Sequence, residues 1–298
     1  MTFKISKKNS LLWLYLGGAL LLVAAATVWC IKTSMDPERV FWRTFNEGLS
    51  LSGVTVSGEQ GNGQTTAKQT IQYSFGARNL SRSLTVLSQG NTVVSSEVLG
   101  TPTVDYTRYT GITTDQKHAD GSKLDTSNII GVWAKGEEGM GQFFSQAAFG
   151  TSLPIGGMVV PMGNLTPQAR AKVLNEAKDK LAYGINFTTV KKERVHGRLL
   201  YTYEASIRPA AYVSVMRLYA QIVGIHGLEQ VNPDDYKAQP PFKLRITIDA
   251  RAAQITTIAS DAGGSMQQYS SYGVPVQAEL PAHPITAAEL QKRLASLQ

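Results

Sequence analysis

Cysteine is almost absent: Cys30 is the single one in 298 residues. One thiol excludes an internal disulfide framework, a cysteine-rich zinc site and a CxxC redox centre. Histidine is sparse as well, and His118, His196, His226 and His283 are scattered without ligand spacing. The chain has no HExxH, no GxSxG, no Walker loop and no Ser-x-x-Lys. Gly139-Met140-Gly141 is a fragment of a glycine motif without its strand and helix. Asp115, Asp120 and Asp125 fall in a loop whose spacing does not fit the standard calcium loop. These absences give the reading of a protein that is not an enzyme and needs no cofactor or metal. Charge is scarce too, at 17% Asp, Glu, Lys and Arg. Three of the positive charges behind the formal +7, on Lys4, Lys7 and Lys8, precede the first apolar run. What remains is no concentrated basic stripe, so no nucleic-acid partner is expected. An apolar fraction of 43% excludes a disordered chain.

What the sequence does have begins at Leu11. Leu11 to Ile31 is 21 residues without a charge, about 30 Å as a helix, which is the thickness of a bilayer core. The lysines before it place residues 1–10 in the cytoplasm, and Trp13, Tyr15 and Trp29 sit near its two ends. Cleavage at Ala24-Ala25-Ala26 and acylation of Cys30 are the rival readings. The apolar run continues past the alanines to Ile31, and Trp29 is too bulky before an acylated cysteine. The expectation is therefore a single-pass transmembrane anchor over 11–31, with one extracytoplasmic domain over 32–298 at the outer side of the plasma membrane. Because no second run of this length exists, one pass is expected.

The outer part reads as α+β. Asp36-Pro37-Glu38 opens a helix, with Phe41, Phe45 and Leu49 on one face. Period-two alternation then predicts strands over Gly53–Gly58, Thr66–Phe75, Ser81–Ser88, Thr92–Leu99 and Val104–Tyr109, an antiparallel meander. Thr166-Pro167 starts a helix to about Tyr183, with Val173, Leu174, Ala177 and Leu181 as its stripe and Gly184 at its end. Strands Ile185–Val195 and Arg198–Ile207 follow, the second with Leu199, Tyr201, Tyr203, Ala205 and Ile207 on its apolar face. Pro209–Ile225 is a helix that is apolar on both sides, hence well buried. Hairpin strands Phe242–Asp249 and Ala253–Ser260, then Met266–Tyr272 and Val274–Leu280, continue the meander, and the capping box Thr286-Ala287-Ala288-Glu289 starts a last helix. Lys191-Lys192-Glu193-Arg194 reads as the wet end of a strand, with anionic lipid headgroups as the functional alternative.

The distinctive content is apolar. Gly139 to Gly163 is greasy but too broken by glycine and proline for a long regular element. Aromatic residues stripe the strands, which means either plain core packing or a greasy concave face that holds an acyl chain. On the second reading the segment Phe143–Met162 is a lid. The candidate lipid-contacting residues are Phe143, Phe144, Phe149, Ile155, Met158, Val159, Val160 and Met162 of that segment, with Tyr201, Tyr203, Met216 and Tyr219.

One stretch near the C-terminus carries a resemblance. Leu244-Arg245-Ile246-Thr247-Ile248-Asp249 is followed by Ile255-Thr256-Thr257-Ile258, by Gln268 to Val276 with its Tyr-Gly-Val-Pro-Val ending, and by Pro281. Together with Val104-Asp105-Tyr106-Thr107-Arg108-Tyr109 and the order of elements, this resembles the LolA/LppX-like family of bacterial envelope lipoproteins and lipoprotein carriers. The resemblance implies a half-barrel, a curved antiparallel β-sheet wrapped on helices, with an apolar cavity for lipid or lipidated protein, and an envelope protein as a further partner. It carries no catalytic constellation. The alternative is a protein-interaction or sensor scaffold on the same fold, with a packed core and no ligand.

Overall fold

The computed structural model describes residues 35–61, 64–76, 79–118, 120–138, 158–225, 228–260 and 266–296. The expected anchor at Leu11–Ile31, together with Cys30, lies outside them. Among the described residues no helix is long and apolar enough to cross a membrane.

The described residues open on α1 (Pro37–Gly48). The Asp36 carboxylate accepts from the backbone N–H groups of Glu38 and Arg39, as a capping aspartate does. Val40, Phe41, Phe45 and Leu49 are buried along one face. Five strands follow in meander: β1 (Gly53–Gly61), β2 (Thr65–Ser74), β3 (Leu80–Gln89), β4 (Thr92–Gly100) and β5 (Asp105–Thr113). A short β6 (Ala134–Lys135) pairs with β5. After α2 (Pro167–Asp179) come β7 (Tyr183–Ile185), β8 (Lys191–Val195), β9 (Arg198–Ile207) and α3 (Pro209–Val223). A second meander, β10 (Phe242–Asp249), β11 (Gln254–Ser260) and β12 (Met266–Ser270), leads to β13 (Ile285–Thr286) and α4 (Ala287–Ala295).

Among the described residues all thirteen strands form one large curved sheet, in the order β13-β6-β5-β4-β3-β2-β1-β12-β11-β10-β9-β7, with β8 on β9. The two meanders meet where β1 pairs with β12. Every pairing between these strands is antiparallel except β13 with β6, so the sheet is mixed rather than purely antiparallel as expected. The inner face carries Val54, Val56, Ile71, Tyr73, Tyr203, Ile246 and Tyr269 against α1, α2 and α3 in one main core. Smaller clusters lie at the β5–β6 edge: Leu99, Val104 and Tyr106 under Ala278 and Leu280, and Ile129 and Ala134 under Leu290 of α4.

The Tyr-Gly-Val-Pro-Val stretch turns out to be a crossing point, not the strand expected over Val274–Leu280. The Tyr272 hydroxyl donates to the Ile255 carbonyl, and the Gly273 N–H donates to the Gly53 carbonyl at 2.8 Å. Gly273 has φ +77°, which favours glycine. A Cβ on Gly53 would lie 2.3 Å from the Val274 carbonyl oxygen, so the outgoing chain passes there only because Gly53 has no side chain.

Two further expectations need correction. α2 stops at Asp179, and the left-handed residue after it is Leu181 (φ +52°), not Gly184, which lies inside β7. Leu181 is exposed at 56%, outside the stripe kept by Val173 and Ala177. The strand expected over Ile185–Val195 is broken by a 3-10 turn, Phe187–Thr189, which the Asn186 side chain caps. The turn lets Phe187 pack on Phe41 and Tyr203.

Candidate functional site

The aromatic stripe has a specific polar role. A buried tyrosine needs a partner for its hydroxyl, and here the hydroxyls reach backbone carbonyls. Tyr183 donates to Val159 at 2.7 Å, Tyr212 to Met158 at 2.6 Å, and Tyr219 to Met162. Tyr201 donates to Met35 at 2.8 Å and Tyr203 to Pro37 at 2.9 Å. Burial pushes the pKa of all five upward, so they stay neutral donors at physiological pH.

Those bonds place the expected site residues. Met158, Val159, Val160 and Met162 pack into the main core and are tied there through three of their carbonyls. Tyr201 and Tyr203 hold the chain that leads into α1, and Tyr219 is fully buried under Met162. Phe143, Phe144, Phe149 and Ile155 lie outside the described residues. Replacing Tyr219 by phenylalanine keeps the packing and strands a buried carbonyl. We expect a loss of about 1–3 kcal/mol, read as a lower urea midpoint with unchanged slope.

Met216 leads to an open space. α3 begins where β9 ends, and its inner side (Val215, Met216, Tyr219, Ala220) is buried. Its remaining apolar side is walled by the segment that follows: 3-10 turns at Leu228–Gln230 and Pro233–Tyr236, then Gln239, Pro240 and Phe242. Between them lies a cleft of about 410 Å³, lined also by Pro209, Tyr212, Val213 and Val231. No charged side chain lines it. The rings of Tyr212 and Phe242 meet edge to face at 6.2 Å. Arg217 donates to the Glu229 carbonyl at 3.1 Å and pins the wall to α3. An apolar ligand in a cleft of this kind would be held through burial of apolar surface.

Sequence reading expected α3 to be well buried and singled out nothing in the covering segment. The signal was there: Leu228, Val231, Tyr236 and Phe242 recur in a proline-broken stretch directly after a helix that is apolar on both sides.

Two other cavities are less suited to an apolar ligand. One of about 270 Å³ lies between α1 and the β10–β11 turn and is lined by Arg43, Glu47 and Arg251 as well as Leu51 and Met162. The other, about 430 Å³, is a groove on the outer face of the sheet, and the Lys68–Glu59 ion pair lies among its lining residues at 3.4 Å. Among the described residues no group of three or more His, Cys, Asp or Glu is placed to hold a metal ion. Asp115, Asp120 and Asp125 accept from Asn91, Ser122 and Ser127 respectively, as loop residues do.

No protein-family model and no curated protein matches the chain. Among solved structures it is similar to the crystal structure of LprF from Mycobacterium bovis, at 14% identity and a TM-score of 0.39, with 83% of this chain and 97% of that chain covered.

Proposed function

We propose that this protein binds the acyl part of a lipid, or of a lipidated protein, in the cleft between α3 and residues 228–242. It does so without chemistry of its own, as a half-barrel domain held outside the plasma membrane by the apolar run Leu11–Ile31. The observation that carries this reading is the cleft: about 410 Å³, apolar, and free of charged lining residues. Its volume falls in the range of small-molecule sites, roughly 300–1,000 Å³. Each methylene buried there contributes about 0.8 kcal/mol, so an ordinary acyl chain is held without a strong polar contact. The resemblance of the C-terminal motif to lipoprotein carriers agrees with this class of ligand. A fixed anchor favours acceptance, handover or sensing over free shuttling.

The test is photocrosslinking of membranes that contain the full chain, using a diazirine fatty acid, with the adduct mapped by peptide mass spectrometry. Adducts are expected in the peptides that span Pro209 to Phe242. Val213→Trp fills the cleft from a half-buried position and should reduce labelling at least about tenfold, a change of about 1.4 kcal/mol, with the melting temperature unchanged. Labelling of residues 32–298 only outside those peptides, or labelling indifferent to Val213→Trp, would refute the cleft, whereas adducts within Leu11–Ile31 report the bilayer alone. Absence of any adduct favours a protein-interaction scaffold, for which exposed Leu84, Val86 and Met266 around the outer groove are the surface to probe.

A further inference from the structure

β8 is an edge strand, paired to β9 alone among the described residues, and all five of its residues are exposed. Its charges are sorted by face. Lys191 and Glu193 lie on one side and pair with each other at 2.6 Å. Lys192 and Arg194 lie on the other, opposite Tyr201 and Leu199 in the register. That second face is where the chain enters the domain: the Tyr201 hydroxyl holds the Met35 carbonyl, and the Lys192 ammonium lies 5.2 Å from the Tyr201 ring centre.

Met35 is four residues beyond Ile31, and four extended residues reach at most about 14 Å. If Leu11–Ile31 lies in a bilayer, Met35, and with it the Tyr201 hydroxyl at the base of the β8–β9 hairpin, is held within that distance of the end of the anchor. The turn after β10 shares this end of the sheet, because the Ala250 N–H donates to the Leu199 carbonyl at 2.8 Å, and it exposes Arg251. Arg198 is already paired with Asp249 at 2.7 Å. Among the described residues Lys192, Arg194 and Arg251 form no ion pair with an acid. Of the nearby acids, Asp36 caps α1, Glu38 lies in its first turn, and Glu47 lines the cavity that Arg43 and Arg251 also line.

We propose that this end of the domain docks on anionic lipid headgroups, through Lys192 and Arg194 of the hairpin and Arg251 of the neighbouring turn. The proposal rests on the membrane reading of Leu11–Ile31. Docking fixes the orientation of the domain. The apolar cleft adjoins the far end of β9, where Phe242 pairs with Ile207, six residues and about 20 Å along the strand from Tyr201. A ligand in the cleft is then lifted clear of the bilayer rather than left partly embedded in it.

The test uses the full chain in nanodiscs of phosphatidylcholine alone, or with about one third phosphatidylglycerol. A bimane is attached at His196→Cys, in the hairpin turn, or at Asn91→Cys, in the β3–β4 turn at the opposite end of the sheet, both in a Cys30→Ser background. The quencher is a lipid spin-labelled at its headgroup. The hairpin label should be quenched several-fold more in the anionic disc than in the neutral one, and the Asn91 label in neither. Arg194→Glu with Arg251→Glu, both at exposed positions, should remove the difference while leaving the melting temperature in place. Equal quenching in the two lipids, quenching that survives the reversal, or quenching of the Asn91 label would overturn the docking alone. A chain that fails to co-isolate with the discs would overturn the membrane reading, and the docking with it.

Discussion

Replacing Glu97 by glutamine is expected to lower the stability of the domain by about 3 kcal/mol, one of the largest effects available from a single polar side chain here. Glu97 lies on β4, and its side chain is only 5% exposed. Its two oxygens are divided between two guanidinium groups: Arg82 Nε reaches Oε1 at 2.7 Å, and Arg108 Nε reaches Oε2 at 2.8 Å. Arg108 is the direct cross-strand partner on β5, and it stacks over Trp133 at 4.5 Å. The argument does not need the triad to be strongly stabilising. Taking three charged groups out of water offsets much of their attraction, and an apolar replacement of all three could fold as well. Removing the one carboxylate alone leaves two cations against each other in a partly dry site, and that state is the costly one. Proton binding has the same effect. Burial raises the Glu97 pKa, but the hydrogen bonds from Arg108 and Arg82, and then their charges, outweigh it and leave the group below the ordinary glutamate value of 4.5. A depressed folded-state pKa means that the stabilisation is complete above pH 4.5 and is lost as pH falls through the lower, folded value. Urea unfolding at neutral pH should show the full difference between wild type and Glu97→Gln, and the difference should shrink progressively in acid. Equal midpoints at neutral pH would show that the triad is solvated rather than buried.

That triad illustrates what was legible in the sequence and what was not. Alternation along Thr70–Phe75 or Leu199–Ile207 announces a strand and its buried face, because the pattern is local. The capping residues Asp36, Thr166 and Thr286 announce helix starts for the same reason. Glu97, Arg82 and Arg108 sit on three strands, and nothing local marks them as partners. The β1–β12 seam is likewise invisible, since it joins residues more than two hundred positions apart. Local rules also misplaced the end of α2, because the helix closes through the Ala182 N–H on the Ala177 carbonyl at 3.0 Å, with Leu181 in the left-handed conformation that glycine usually supplies. The cleft was half legible. The two-sided apolar character of α3 demanded a cover, and Met216 was among the expected contacts. The cover itself is irregular, and a 3-10 wall has no periodicity to read.

Phe41→Ala is expected to cost more still, about 3–5 kcal/mol, which combines the lost transfer energy of a buried ring with the cavity it leaves. Phe41 is 2% exposed. Its ring centre lies 5.1 Å from Trp42, 5.5 Å from Tyr203, 5.9 Å from Tyr183 and 6.1 Å from Phe187. Those neighbours cannot collapse into the hole freely. Tyr203 is tied to Pro37, Tyr183 is tied to Val159, and Phe187 sits on a capped turn. Phe41→Leu, which keeps most of the volume, should cost only about 1 kcal/mol. The contrast matters for function because Phe41 is not among the residues that line the cleft. The alanine variant should therefore unfold at markedly lower urea, yet label with the diazirine fatty acid in the Pro209–Phe242 peptides like wild type when assayed cold and folded. Val213→Trp should do the reverse. If Phe41→Ala abolished labelling while still folded, the acyl chain would have to enter the main core itself, and the cleft beside α3 would be only its mouth.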